Sequence, residues 1–199
     1  MAKLFFRYGA MNSGKSTALL QVAYNYEERG MNVLLVKAAI DTKGDDKVQS
    51  RLGIERKVDI LAKESINLYD SIVQWHKDVE KVSCVLVDEA QFLAEEQVNQ
   101  LLQVVIKANI PVICYGIRTD FQVELFPGSK RLFAVAHTIE ELKTICRCGK
   151  KAMMNGRKID GEFTFDGDQV AIDGAQDLSY ESLCGSCYFD ELRKTIKSK

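Results

Sequence analysis

Lys3-Leu4-Phe5-Phe6-Arg7-Tyr8 runs directly into Gly9-Ala10-Met11-Asn12-Ser13-Gly14-Lys15-Ser16. The octapeptide fits G-x-x-x-x-G-K-[ST], a loop whose backbone N–H groups cradle phosphate oxygens. An apolar strand-like run precedes it and a helix-like run follows, which is the context such a loop needs. Glycines let the chain approach an anion closely, and the N–H groups and dipole of a helix start favour negative charge. On this reading Gly9, Ala10, Met11, Asn12, Ser13 and Gly14 form the cradle. Lys15 reaches the β- and γ-phosphates of a nucleoside triphosphate, and the Ser16 hydroxyl holds Mg²⁺.

Working outward, residues up to about 120 alternate apolar strands with amphipathic helices. Leu19, Val22, Ala23 and Tyr26 share one face of a helix predicted from Ser16 to Arg29, which Gly30 ends. Asn32–Lys37, Val82–Val87 and Pro111–Tyr115 read as buried strands. Helices are predicted over Ser65–Lys81, through Leu68, Ile72 and Trp75, and over Ala94–Ala108, through Val98, Leu101, Leu102 and Val105. Repeated strand–helix units with apolar strands predict an α/β fold, a parallel sheet covered on both faces. Asp41–Val58 breaks the rhythm; a polar stretch of this length beside a phosphate site is a functional or a disordered loop.

Past about Leu142 cysteines, glycines and short alternating runs replace helices. The expected organisation is a nucleotide-binding domain over 1–142, a small β-rich module over 143–190 and a basic tail over 191–199, helical or frayed. A chain of 199 residues, 46% hydrophobic and 28% charged, suits one main domain with an appendage. A net charge of −1 gives no electrostatic case for nucleic acid or an anionic membrane as partner. No apolar run approaches a membrane span. The N-terminal stretch enters the phosphate loop at once, as a domain strand does and a signal peptide does not, so a cytoplasmic protein is expected.

Val85-Leu86-Val87-Asp88-Glu89-Ala90-Gln91-Phe92 is an apolar strand ending in two carboxylates. At the end of such a strand a carboxylate holds Mg²⁺, a role that suits Asp88. Glu89, one residue on, is placed to accept a proton from an attacking hydroxyl or water, and Ala90 and Gln91 belong to the same nucleotide-binding turn. These motifs fit an ATPase, whose acceptor is water, as well as a kinase, whose acceptor is a substrate hydroxyl.

Six cysteines in a reducing compartment suggest metal before disulfide where they cluster. Cys146-Arg147-Cys148 and Cys184-Gly185-Ser186-Cys187 offer four thiolates, a set that suits structural Zn²⁺. A module with so little core would gain its stability from the ion. Cys84 and Cys114 sit alone in apolar runs and read as small buried hydrophobes. His76 and His137 fall outside the cluster and read as surface or helix residues.

Several segments, in this order, carry a family likeness: YGAMNSGKSTALLQ, YNYEERGM, VLVDEAQFL, CYGIRTDFQVELFPGS, ELKTICRCGKKA and the terminal C-x-x-C-Y. With them the chain resembles the zinc-containing, cellular-type thymidine kinases, and within these the bacterial members. The likeness runs from residue 3 to about 188. It implies a RecA-like core with a zinc-bearing lasso subdomain. It also implies ATP-dependent phosphorylation of the 5′-hydroxyl of thymidine, and of deoxyuridine, in nucleotide salvage for DNA synthesis. A homotetramer inhibited by thymidine triphosphate is implied as well.

Residue by residue, Glu89 matches the family's catalytic base, and Asp88 the acid beside it. Cys146, Cys148, Cys184 and Cys187 match the four metal positions. Met11, Phe92, Ile117, Phe121 and Phe126 match apolar positions of the thymine pocket, and Tyr180 a tyrosine near the nucleoside. Val170, Ala171, Ile172 and Asp173 correspond to lasso backbone that reads the base edge. The chain departs from the family twice. From Ile172 to Tyr180 it is two residues longer than the usual I-G-G-x-x-x-Y and has Asp173 in place of a glycine. Lys43 stands near a position that often carries arginine, so Lys43 or Arg51 supplies the cation there. The alternative reading is a P-loop ATPase whose zinc ribbon binds a macromolecular partner.

Overall fold

The structure, a computed structural model, describes residues 1–39, 46–51, 53–170 and 177–197. Strand β1 (Leu4–Tyr8) leads through the glycine loop into helix α1 (Lys15–Glu27), and β2 (Asn32–Ala38) follows. Next come a hairpin of β3 (Lys47–Gln49) and β4 (Glu55–Lys57), the short β5 (Ile60–Ala62), α2 (Leu68–Asp78) and β6 (Val82–Asp88). Helix α3 (Glu95–Gln103), β7 (Val112–Gly116), α4 (Pro127–Val135) and β8 (Thr138–Glu141) complete the core. Strands β5-β2-β6-β7-β1-β8 form one six-stranded sheet, and every neighbouring pair in it is parallel.

The central strands read as largely apolar runs because alternate residues serve opposite cores. Leu34, Val36, Val85, Val87, Val112 and Cys114 face a cluster with Leu68 and Ile72 of α2, Leu101 of α3 and Leu132 of α4. Val33, Leu35, Cys84, Leu86, Ile113 and Tyr115 face the other, with Leu19, Leu20 and Ala23 of α1. Burial pushes the Cys84 thiol up to about 12 and raises that of Cys114 as well, so both are inert packing residues.

The helices differ from their expected bounds for local reasons. Helix α2 starts three residues late because the Asn67 side chain accepts the Asp70 N–H at 3.1 Å and caps it. The stretch expected as one helix to Ala108 changes to a wider turn over Val104–Ala108, which ends at Asn109 with φ 54°. Asp41–Val58 is not irregular throughout: it holds the β3–β4 hairpin, whose Val48 packs fully buried with Val58 against α1. An Arg56–Glu27 ion pair ties that hairpin to α1. Residues 40–45, and Lys43 with them, lie outside the described residues.

The cysteine-bearing part consists of β9 (Thr144–Ile145) paired with β10 (Lys151–Ala152), and of β11 (Met154–Ile159) between β12 (Glu162–Thr164) and β13 (Leu178–Leu183). Helix α5 (Gly185–Lys197) begins inside the second cysteine pair and continues unbroken past residue 190, through most of the expected tail. The arrangement is thus α/β, a parallel sheet flanked by helices with a separate small β subdomain.

Candidate functional site

In a parallel sheet of this kind ligands bind beyond the carboxyl ends of the strands. β1 ends in the glycine loop and β6 in Asp88-Glu89, with β7 between them in the sheet. Two glycines of the loop are required for different reasons. A Cβ on Gly9 would lie 2.5 Å from the Leu142 carbonyl oxygen, whereas Gly14 takes φ +75° as the chain turns into α1. Lys15 folds back over the loop, its Nζ donating to the Ala10 carbonyl at 2.9 Å. Burial lowers its pKa, and the carboxylates of Glu89 and Asp88 oppose that shift.

Glu89 has a left-handed backbone, φ 51°, at the start of a single tight turn over Ala90–Phe92. A non-glycine residue held there costs about 1 kcal/mol or more, a strain that collects at functional positions. The turn brings Gln91 back onto Glu89. Gln91 Nε2 donates to Glu89 Oε2 at 2.5 Å, and Gln91 Oε1 accepts the Ile117 N–H at 3.1 Å. Gln91 therefore orients the carboxylate, while Ala90 is fully buried in the core.

A cavity of about 880 Å³ opens at this edge. Met11, Asn12, Gly14, Lys15 and Ser16 line it from the loop, Glu89, Gln91 and Phe92 from the end of β6, and Arg51 from beyond β3. Ile117, Phe121 and Phe126 supply an apolar wall, with Phe92 and Phe126 edge-to-face at 5.3 Å. Val170 and Tyr180 line the side nearest the β subdomain. Gly9, Ala10, Ser13, Asp88 and Ala90 are not among the residues that line it. Ala171, Ile172 and Asp173 lie outside the described residues. Asp120, Asn155 and Gln169 also line the cavity, and no sequence motif marks them. Asp120 Oδ1 accepts the N–H groups of Gln122 and Glu124, and its Oδ2 accepts from Gln169 Nε2 at 2.9 Å.

Asp88 is 4% exposed. Burial, with the neighbouring Glu89 charge, pushes its carboxyl up to about 7, against a backbone hydrogen bond and the pull of Lys37 and Lys15. A carboxyl whose pKa is raised on folding stabilises the native state while protonated. That contribution is full below the unfolded value near ~4 and is lost as pH rises through about 7. Asp88→Asn therefore leaves the ligand-free protein progressively more stable than wild type from pH 5 to pH 8, by an amount on the order of 1 kcal/mol or more at pH 8. Thermal melts of both proteins at the two pH values check this; an equal difference at both contradicts it.

The four remaining cysteines converge. The Sγ atoms of Cys146, Cys148, Cys184 and Cys187 lie within 4.8 Å of one another, with Cys148 and Cys184 3.6 Å apart. Zn–S bonds of about 2.3 Å place tetrahedral sulfurs roughly 3.8 Å apart, so the set fits zinc. Burial raises the Cys146 thiol, but hydrogen bonds from the backbone of Cys148 and Cys184 bring it down to about 7. Cys187, facing Cys148 and Cys146, is pushed up to about 12. His76 and His137 each accept a backbone N–H at Nδ1, from Val82 at 3.0 Å and Leu4 at 3.1 Å, and stand outside the cluster.

A family model described as thymidine kinase matches residues 2–188. The chain belongs to the thymidine kinase family. A thymidine kinase of Haemophilus influenzae is 55% identical over 186 residues, covering 92% of this chain and 94% of that protein. One of Shewanella oneidensis is 54% identical over 187 residues, covering 92% and 95%. One of Aliivibrio fischeri is 51% identical over 196 residues, covering 98% and 100%. Thymidine kinase family membership thus extends through the phosphate loop, the acidic turn and the cysteine cluster alike.

Proposed function

We propose that this chain transfers the γ-phosphoryl group of ATP to the 5′-hydroxyl of thymidine, and of deoxyuridine, in nucleotide salvage. The observation that carries the reading is one cavity holding Lys15, Glu89 and an aromatic wall together. A phosphate grip and a proton acceptor alone would serve an ATPase. A flat apolar wall beside them gives a pyrimidine base a place to lie, which hydrolysis does not need.

On this reading the N–H groups of Gly9–Ser16 and the Lys15 ammonium bind the β- and γ-phosphates. Ser16 and Asp88 would hold Mg²⁺, which neutralises phosphate charge when bound. Glu89, oriented by Gln91, accepts the proton of the 5′-hydroxyl as its oxygen attacks phosphorus. Met11, Phe92, Ile117, Phe121 and Phe126 enclose the base, Tyr180 packs near the sugar, and Val170 with Ala171–Asp173 reads the base edge. Arg51, which lines the cavity with Lys15, is one candidate for the further cation; Lys43 is the other.

The cysteine cluster holds one structural Zn²⁺, and the junction near 142/143 divides the phosphate-binding core from the lasso module of 143–190, with 191–199 as its C-terminal extension. The enzyme works in the cytoplasm as a homotetramer, with thymidine triphosphate as feedback inhibitor. Among the described residues no helix is long and apolar enough to cross a membrane, and the net charge of −1 fits a small-molecule enzyme rather than a nucleic-acid binder.

A nucleoside panel tests the reading. With ATP and Mg²⁺, thymidine and deoxyuridine are phosphorylated and purine nucleosides are not. Equal turnover of purines would remove the base pocket from the account.

A further inference from the structure

Strands β11 and β13 pair antiparallel with Asn155 directly opposite Ser182. Both side chains are polar and buried, 2% and 6% exposed. Both end on the same residue of the phosphate loop. Asn155 Oδ1 accepts the Met11 N–H at 2.8 Å, and the Ser182 hydroxyl donates to the Met11 carbonyl. Asn155 Nδ2 also donates to the Thr119 carbonyl at 2.9 Å, at the start of the segment that carries Phe121. One rung of the subdomain sheet thus grips the N–H and the C=O of a single loop residue. It also reaches the backbone beside the aromatic wall.

The position of that rung depends on the cysteine module. Leu183 and Cys184 follow Ser182 directly, and both are buried in the module's small core with Cys146, Phe165 and Tyr188. Met11 is followed by Asn12 at φ 64°, and the loop then reaches Gly14 at φ 75°. Gly14 takes that conformation freely, so the strain falls on Asn12, a left-handed non-glycine residue that persists where its surroundings hold it.

We propose that Asn155 and Ser182 are positioning residues for phosphate binding: by clamping both backbone groups of Met11 they hold the loop in its anion-binding shape, so that donor-nucleotide affinity depends on the folded cysteine module. This rests on the reading of Gly9–Ser16 as the ATP site. A residue that merely stabilised the subdomain would alter melting and zinc content. The clamp acts instead on ATP affinity at full zinc occupancy.

The test is calorimetric titration of ATP into the purified protein without nucleoside, with zinc per chain measured on the same samples. Loss of one buried hydrogen bond at the loop weakens ATP by about tenfold. Ser182→Ala and Asn155→Ala each show that loss while retaining one zinc per chain. Ser182→Thr, which keeps the hydroxyl, binds ATP within about threefold of wild type. The double alanine variant loses less than the product of the two single effects, because both bonds hold one residue. Wild-type ATP affinity in the zinc-replete alanine variants overturns the proposal. So does weakened binding confined to variants that have also lost zinc. A wild-type protein that binds no ATP defeats the ATP-site reading itself, which is a different result from a wild type that binds ATP and alanine variants that bind it equally.

Discussion

Replacing Glu89 by Gln lowers kcat for thymidine phosphorylation by about 10²- to 10⁴-fold, the usual worth of a positioned general base. Gln matches Glu in shape. It keeps an oxygen to accept the Gln91 Nε2 bond, seen at 2.5 Å, and it leaves the left-handed backbone at φ 51° undisturbed. What it removes is the ability to take a proton. The loss therefore falls on kcat, with the KM for ATP changed by less than about threefold. Steady-state kinetics with ATP varied at saturating thymidine separates the two. A kcat within about threefold of wild type would assign the base to another group.

Removing the proposed zinc has the second large effect. The cysteine module buries Cys146, Ala152, Phe165, Leu183, Cys184 and Tyr188, with Phe163 and Leu192 partly buried around them. Two of those six core residues, Cys146 and Cys184, belong to the proposed zinc site, so ion binding and core formation would be coupled. Structural zinc contributes on the order of 10 kcal/mol of folding free energy in small modules. Chelation, or Cys184→Ser, therefore unfolds β9–β13 and abolishes thymidine phosphorylation while much of the six-stranded sheet survives. The expected signs are one zinc per chain before treatment, four newly titratable thiols after chelation or three in Cys184→Ser, and a partial loss of ellipticity. Well under one zinc per chain in active protein, with those thiols freely titratable, contradicts the assignment.

The strands and the order of the motifs were legible because their signals are local. Val82–Val87 is apolar but for Ser83 since both faces are covered, and Gly9–Ser16 declares itself by spacing. Other elements were not, among them the three-residue β5 (Ile60–Ala62). Helix α4 is short and opens on Pro127, with Gly128, Ser129 and Leu132 as its buried residues, too few to show a period. The sheet-edge strand β8 reads Thr-Ile-Glu-Glu, with none of its residues fully buried. The β3–β4 hairpin buries little beyond Val48 and Val58, so its polarity concealed it.

The site divides the same way. Loop, acidic pair and cysteines form sequence patterns, whereas Asn155 and Ser182 reach Met11 from 144 and 171 residues away and belong to none. Arg157, 3% exposed, stacks 3.6 Å from the centre of the Phe121 ring and donates to the Asp166 and Asp168 carbonyls. Sequence periodicity marks burial, and a buried polar residue at such a joint looks like any surface one.

The central claim is that a nucleoside, not water, accepts the phosphoryl group. It is tested most directly by counting ADP and thymidine monophosphate in one reaction, with and without thymidine. The expected result is one thymidine 5′-monophosphate for each ADP formed and near-absence of ADP when thymidine is omitted. Steady ADP release without thymidine, and no phosphorylated nucleoside with it, would contradict it.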